Sequence, residues 1–98
     1  MRYEWDDEKA ARNLRKHRVD FLDAIAAVED PNRLEEIESQ LDDGEERTRI
    51  IGLARGGVLF VAVTLRSANE EEICRIISAR KATRNEEDKY YAGDREAW

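Results

Sequence analysis

The nine residues Arg75-Ile76-Ile77-Ser78-Ala79-Arg80-Lys81-Ala82-Thr83 end an aliphatic run with three cations and stop at a threonine suited to open a helix. Along an extended strand side chains alternate. Ile73, Arg75, Ile77, Ala79 and Lys81 are therefore expected on one face, and Cys74, Ile76, Ser78 and Arg80 on the other. Cations then leave both faces at the strand's C-terminal end. Burial alone would favour apolar residues there, so these side chains ask for an anion, either a carboxylate of the chain or an external phosphate. Thirteen of the seventeen basic residues are arginine, whose planar fork grips paired oxygens where lysine offers a point charge. His17, the only histidine, follows Lys16. An imidazole can exchange a proton near neutral pH, or it can simply cap a helix C-terminus.

What is missing narrows the chemistry. The acids between 35 and 46 are crowded, but no histidine or cysteine joins them and no calcium-loop spacing occurs, so no metal or other cofactor is expected. There is no glycine-rich phosphate loop, and no serine stands in a nucleophile motif with histidine and an acid. The lone Cys74 excludes an intramolecular disulfide and suits a packed thiol in a reducing compartment.

Ninety-eight residues make one domain, 1–98, with a single modest core. No stretch approaches the apolar length of a membrane span, and Met1-Arg2-Tyr3-Glu4-Trp5 lacks a signal-peptide core, so a cytoplasmic chain without membrane contact is expected. The net charge of −6 is unevenly spread. Residues 1–28 balance six acids with six bases, 29–46 set nine acids against Arg33 alone, and 47–98 hold ten bases against eight acids. The overall acidity thus describes one region, which is a solvated face or a dock for a basic partner segment, and says little about the rest.

These residues need elements to position them. Tyr3 to Trp5 is a short extended lead-in. Asp6 caps a helix to about Lys16 with a thin apolar stripe, Ala10 and Leu14 with Ala11, and a basic face of Lys9, Arg12, Arg15 and Lys16. Asp20 caps a second helix, with Asp23 at the capping-box position, Val19 stapling to Ala24, and Phe21, Ala24, Ile25 and Val28 on one stripe. Asp30-Pro31-Asn32 ends it. Leu34 to Ser39 alternates as a charged edge strand, Asp42-Asp43-Gly44 is a turn, and Arg47 to Leu53 is a second strand. Arg55-Gly56-Gly57 turns into Val58 to Leu65, apolar on both faces and hence central, followed by a polar hairpin at Ser67-Ala68-Asn69-Glu70 and a strand from Glu72 to Ala79. Thr83 and Glu86 open a last helix that passes Tyr90 and Tyr91 and weakens at Gly93, and the tail from Asp94 frays. The expected fold is α+β: two N-terminal helices, a four-stranded antiparallel sheet covered by helices on one face, and a C-terminal helix.

Tyr3-Glu4-Trp5-Asp6 with Lys9, Asn13 and Lys16-His17, then Phe21 and Ala24, Glu46-Arg47 with Ile51-Gly52, and the Arg75 to Thr83 run with Glu86 and Tyr90 or Tyr91 resemble, in order, the BrnT toxins. The resemblance implies a RelE-like fold and a ribonuclease toxin of a type II toxin-antitoxin pair. It also implies a BrnA-type antitoxin with a ribbon-helix-helix DNA-binding part, through which alone the complex meets operator DNA. The family usually has glycine after the lysine-histidine pair. Here Arg18 stands there, so the turn differs or Arg18 takes an unusual backbone.

Metal-free RNA cleavage needs a base for the 2′-hydroxyl proton, cations for the phosphorane and an acid for the departing 5′-oxygen. The candidates for catalysis are Lys16, His17, Arg47 and Arg80. Arg66, Arg75 and Lys81 extend a cationic groove for RNA, and of Tyr90 and Tyr91, which can stack on a base or act as an acid, one is expected in the core and Tyr91 is the RNA-binding candidate. Glu46, Glu72 and Glu86 compete for the arginines, Glu86 while completing its own helix cap. The expected activity is translation-blocking endoribonuclease. The alternative is a non-catalytic module that binds its antitoxin as co-repressor. Direct DNA binding is disfavoured because no helix-turn-helix spacing occurs.

Overall fold

The structure, a computed structural model, describes residues 1–38 and 46–93. The expected Asp42-Asp43-Gly44 turn and the tail from Asp94 lie outside them. The elements are β1 (Arg2–Glu4), α1 (Asp7–His17), α2 (Phe21–Glu29), β2 (Leu34–Glu38), β3 (Arg47–Ala54), β4 (Gly57–Ala68), β5 (Glu71–Lys81) and α3 (Arg84–Ala92). Each helix begins where a side chain accepts an orphan N–H: Asp6 from Lys9, Asp20 from Leu22, and Thr83 from Glu86. The capping box is complete at Thr83, because the Glu86 carboxylate returns to the Thr83 N–H. No helix among the described residues is long and apolar enough to cross a membrane.

The sheet has five strands in the order β1-β5-β4-β3-β2, not four. The lead-in segment, too short to show period-2 patterning, is β1, and it pairs parallel with β5 from Arg2 opposite Ile73 to Glu4 opposite Arg75. The other pairings are antiparallel, so the sheet is mixed. The β4–β5 hairpin is tighter than expected, turning on Asn69 and Glu70 with φ of 53° and 66°, the backbone whose twist matches the strands.

A β-bulge in β5 overturns the expected facing of that strand. Val63 pairs with Ile76 but Ala62 pairs with Ser78, leaving Ile77 as the extra residue. Past it the alternation inverts. Ala79 and Lys81 move to the face of Cys74 and Ile76, while Ser78 and Arg80 join Ile73 and Arg75.

Helices also lie on both faces, not one. On the first face Phe21, Ala24, Ala27 and Val28 of α2 pack on Ile50, Leu59, Val61, Val63, Cys74, Ile76 and Ala79. Contact is close enough that a β-carbon on Gly52 would sit 2.1 Å from the Ala27 carbonyl oxygen. On the second face, Leu34, Ile51 and Val58 with Phe60 form an apolar patch at one end of the sheet, and α3 covers it through Tyr90. α1 ends at Arg18, whose φ of 60° and ψ of 29° are left-handed and whose N–H donates to the Leu14 carbonyl. Arg18 thus takes the glycine conformation at a cost of about 1 kcal/mol.

Asp30 ties α2, β3 and α3 together. Its carboxylate accepts from the N–H groups of Leu53 and Asn32 at 2.7 and 2.9 Å and from the Tyr90 hydroxyl. Burial pushes the carboxyl up, but these donors outweigh it and hold it below the usual range. The same burial, with the Asp30 hydrogen bond and charge, pushes the Tyr90 phenol from 10.0 up to about 12. A raised phenol contributes stability that is full below its ordinary value and disappears as pH rises through the raised one. The melting temperature is therefore expected to fall between pH 10 and about 12, and less steeply in Tyr90→Phe. Tyr3, also pushed up to about 12 by burial and its Glu29 bond, supplies the residual slope. Equal slopes would refute the assignment to Tyr90.

Candidate nucleic-acid interface

Beyond α3 the second sheet face is open and built in cross-strand rows. One row is Leu34, Ile51, Phe60 and Arg80, and the next is Glu36, Arg49, Ala62 and Ser78. A third has Glu38 beside Arg47 and Thr64 beside Arg75 and Glu4. Arg66, Ile73 and Arg2 close the face. Its middle is a floor of small side chains, Ala62, Thr64 and Ser78, flanked by arginines from β3 and β5. With strands about 4.8 Å apart, Arg49 and Ser78 stand about 10 Å apart across Ala62. Only the bulge places Arg75 and Arg80 on one face, so the gathering of cations is a property of the bulge.

Carboxylates sit among them. Glu86 receives both arms of Arg80, at 2.8 and 3.1 Å, while its Oε1 also accepts the Thr83 N–H. Arg80 donates once more to the Lys81 carbonyl and stacks 4.2 Å from the centroid of Phe60. Burial raises the Glu86 carboxyl, but the Arg80 and Thr83 hydrogen bonds prevail and keep it below the usual range. Glu4 lies 2.9 Å from Arg66 and 3.7 Å from Arg75, and the Arg66 hydrogen bond lowers its pKa. Arg49 meets Glu36 at 2.6 Å.

α1 borders this face along the β5 edge left open beyond β1. Buried Asn13 donates to the Ala79 and Val19 carbonyls at 2.8 and 3.1 Å and accepts the Ala79 N–H at 3.2 Å, so a side chain replaces the missing strand. With Asn13 on that edge and Ala10 against the first core, 3.6 residues per turn direct Lys9, Arg12 and Lys16 to the arginine-bearing side. They line a depression of about 230 Å³ with Asn13, His17 and Ile77. The helix is capped by the Arg18 N–H, and the His17 ring makes no hydrogen bond among the described residues, which leaves both nitrogens open. Among those residues no three His, Cys, Asp or Glu side chains gather as a metal site.

Residues 5–86 match the family described as the ribonuclease toxin BrnT of type II toxin-antitoxin systems. The chain belongs to that family. A search of curated proteins matches nothing.

In this BrnT-family chain the structure brings Arg47, Arg66, Arg75 and Arg80 to one sheet face, turns Lys16 toward it, and has His17 line the same depression along α1. It does not bring Lys81 there, because the bulge turns that side chain to the α2 side. Nor does it bring Tyr91, which is 67% exposed and lies beside Leu53, Asn32 and Gly93 at the far end of α3. Tyr90 is the member of the pair in the core. Arg49 is missed by sequence reasoning, although it stands two residues from Arg47 and period 2 puts both on one face. Glu4 is missed because its pairing with Arg75 exists only through β1. Asn13 is visible in the sequence only as part of the family pattern.

Proposed function

We propose that this BrnT-family chain is a metal-independent endoribonuclease that blocks translation and is silenced by a BrnA-type ribbon-helix-helix antitoxin covering the open sheet face. The observation that carries this is the bulge at Ile77, which gathers Arg75 and Arg80 with Arg47 and Arg49 around the small floor of Ala62, Thr64 and Ser78. A backbone phosphate above that floor meets guanidinium forks from two strands. The 2′-oxygen attacks phosphorus as its proton leaves to a base, arginine N–H groups hold the phosphorane's charge, and the 5′-oxygen departs with a proton. His17 is the proton carrier, Lys16 adds charge beside it, and Arg47 and Arg80 hold the phosphorane. Arg66 and Arg75 hold the flanking backbone.

Inducible expression in bacteria without the neighbouring gene is expected to stop growth. Purified protein should cut RNA in EDTA to 2′,3′-cyclic phosphate ends, and His17→Ala should slow this by about a hundredfold or more. Unchanged growth with soluble intact protein would sink the enzyme assignment. The internal ion pairs of Glu4, Glu36 and Glu86 favour one rival, a non-catalytic partner of its antitoxin that acts as co-repressor. Tight antitoxin binding with RNA left intact would select it.

A further inference from the structure

Several sheet-face arginines meet the chain's own carboxylates, but a second group of cations does not. Arg18 after α1, Arg55 in the β3–β4 hairpin and Lys81 at the end of β5 line one cavity of about 230 Å³. All three are exposed, and none forms an ion pair or side-chain hydrogen bond among the described residues, although Asp23 and Glu87 share the lining. The three come from segments distant in sequence. Lys81 is there because the bulge inverted its facing. Arg18 is there in a left-handed backbone that glycine would adopt without strain. The hairpin adds bare backbone, since nothing lies within 4 Å of where β-carbons on Gly56 and Gly57 would be. The volume is below the roughly 300 to 1,000 Å³ of sites for whole small molecules, so it suits one phosphate group better than a cofactor. Arg18 directly follows Lys16 and His17, so the cavity continues the cationic rim away from the arginine rows.

We propose that the Arg18–Arg55–Lys81 cavity binds a backbone phosphate of the RNA as the strand passes off the sheet face beyond His17. That the polyanion is RNA rests on the ribonuclease reading. The site itself rests on the three unpaired cations.

The test uses the full chain and a short fluorescent single-stranded RNA carrying 2′-O-methyl groups, so that binding is read without cleavage. Arg18→Gly with Arg55→Gln is expected to weaken binding about tenfold, with a salt slope shallower by about 0.7, the value for one lost phosphate contact. Arg18→Gly alone should weaken binding while raising the urea midpoint, a pair of opposite signs that misfolding cannot produce. Inorganic phosphate should shift the Gly56 and Gly57 amides of the wild type and not of the double variant. If the wild type cuts RNA and the double variant binds with unchanged affinity and slope, the proposal falls and the ribonuclease reading stands. If the wild type binds RNA without cutting and the variant binds more weakly, the site stands and catalysis does not. Phosphate shifts without any change in RNA binding would mark a free-anion site and overturn the assignment. Loss of antitoxin binding with RNA binding intact would overturn it equally.

Discussion

Asn13→Ala is expected to lower the stability of the chain by about 3 kcal/mol, read as a fall in the urea midpoint at unchanged slope. The side chain is 7% exposed and satisfies three backbone groups, the N–H and C=O of Ala79 and the C=O of Val19. Truncation leaves all three in a site with little access to water, and an unmet buried polar group costs about 1–3 kcal/mol. Against a total of about 5–15 kcal/mol for an ordinary domain, that is a large share. Asn13→Asp should be no better, because it keeps the acceptor but loses both donors and buries a charge. Function should suffer with stability, since Ala79 lies between Ser78 and Arg80 on the strand that α1 holds in place. A loss below about 0.5 kcal/mol would mean that water replaces Asn13 on the β5 edge.

Arg80→Ala is expected to slow RNA cleavage by about a hundredfold or more, the scale of removing one donor aimed at developing charge. It should also cost about 1 kcal/mol of stability, a figure kept low because the Arg80 side chain is 35% exposed. A purely structural Arg80 would show only the second effect. Glu86→Gln separates the two, because glutamine preserves the capping box while releasing the guanidinium's charge partner. An arginine that grips RNA should bind it at least as well in Glu86→Gln, whose stability nevertheless falls. Since Glu86 is held below the usual carboxylate range, the stability it lends is present above that range and lost as pH falls through its lowered value. The acid limb of an unfolding profile should therefore be shallower in Glu86→Gln. Arg80→Ala with full cleavage activity would remove Arg80 from the site.

Much of the fold was legible locally. Asp6, Asp20 and Thr83 mark helix starts because a cap is a contact between residues two or three apart. The hairpin strands from Arg47 to Ala79 follow from apolar runs and turn residues. β1 was not legible, because three residues cannot display a period and their pairing partner lies some seventy positions away. The two-sided placement of helices was also hidden, since a central strand apolar on both faces does not say which helix covers which.

The sequence by itself determined the family, the helix boundaries, the antiparallel meander and the set of cations available for anion binding, all carried by local propensity or short patterns. Only the tertiary structure decided which cations lie together on one face. One extra residue at Ile77 inverts every side chain after it, so Arg80 joins Arg75 above a small-residue floor and Lys81 joins Arg18 and Arg55 on the other side. A bulge is visible only as a mismatch between two strands, which is why alternation along β5 alone sent these cations to the wrong faces.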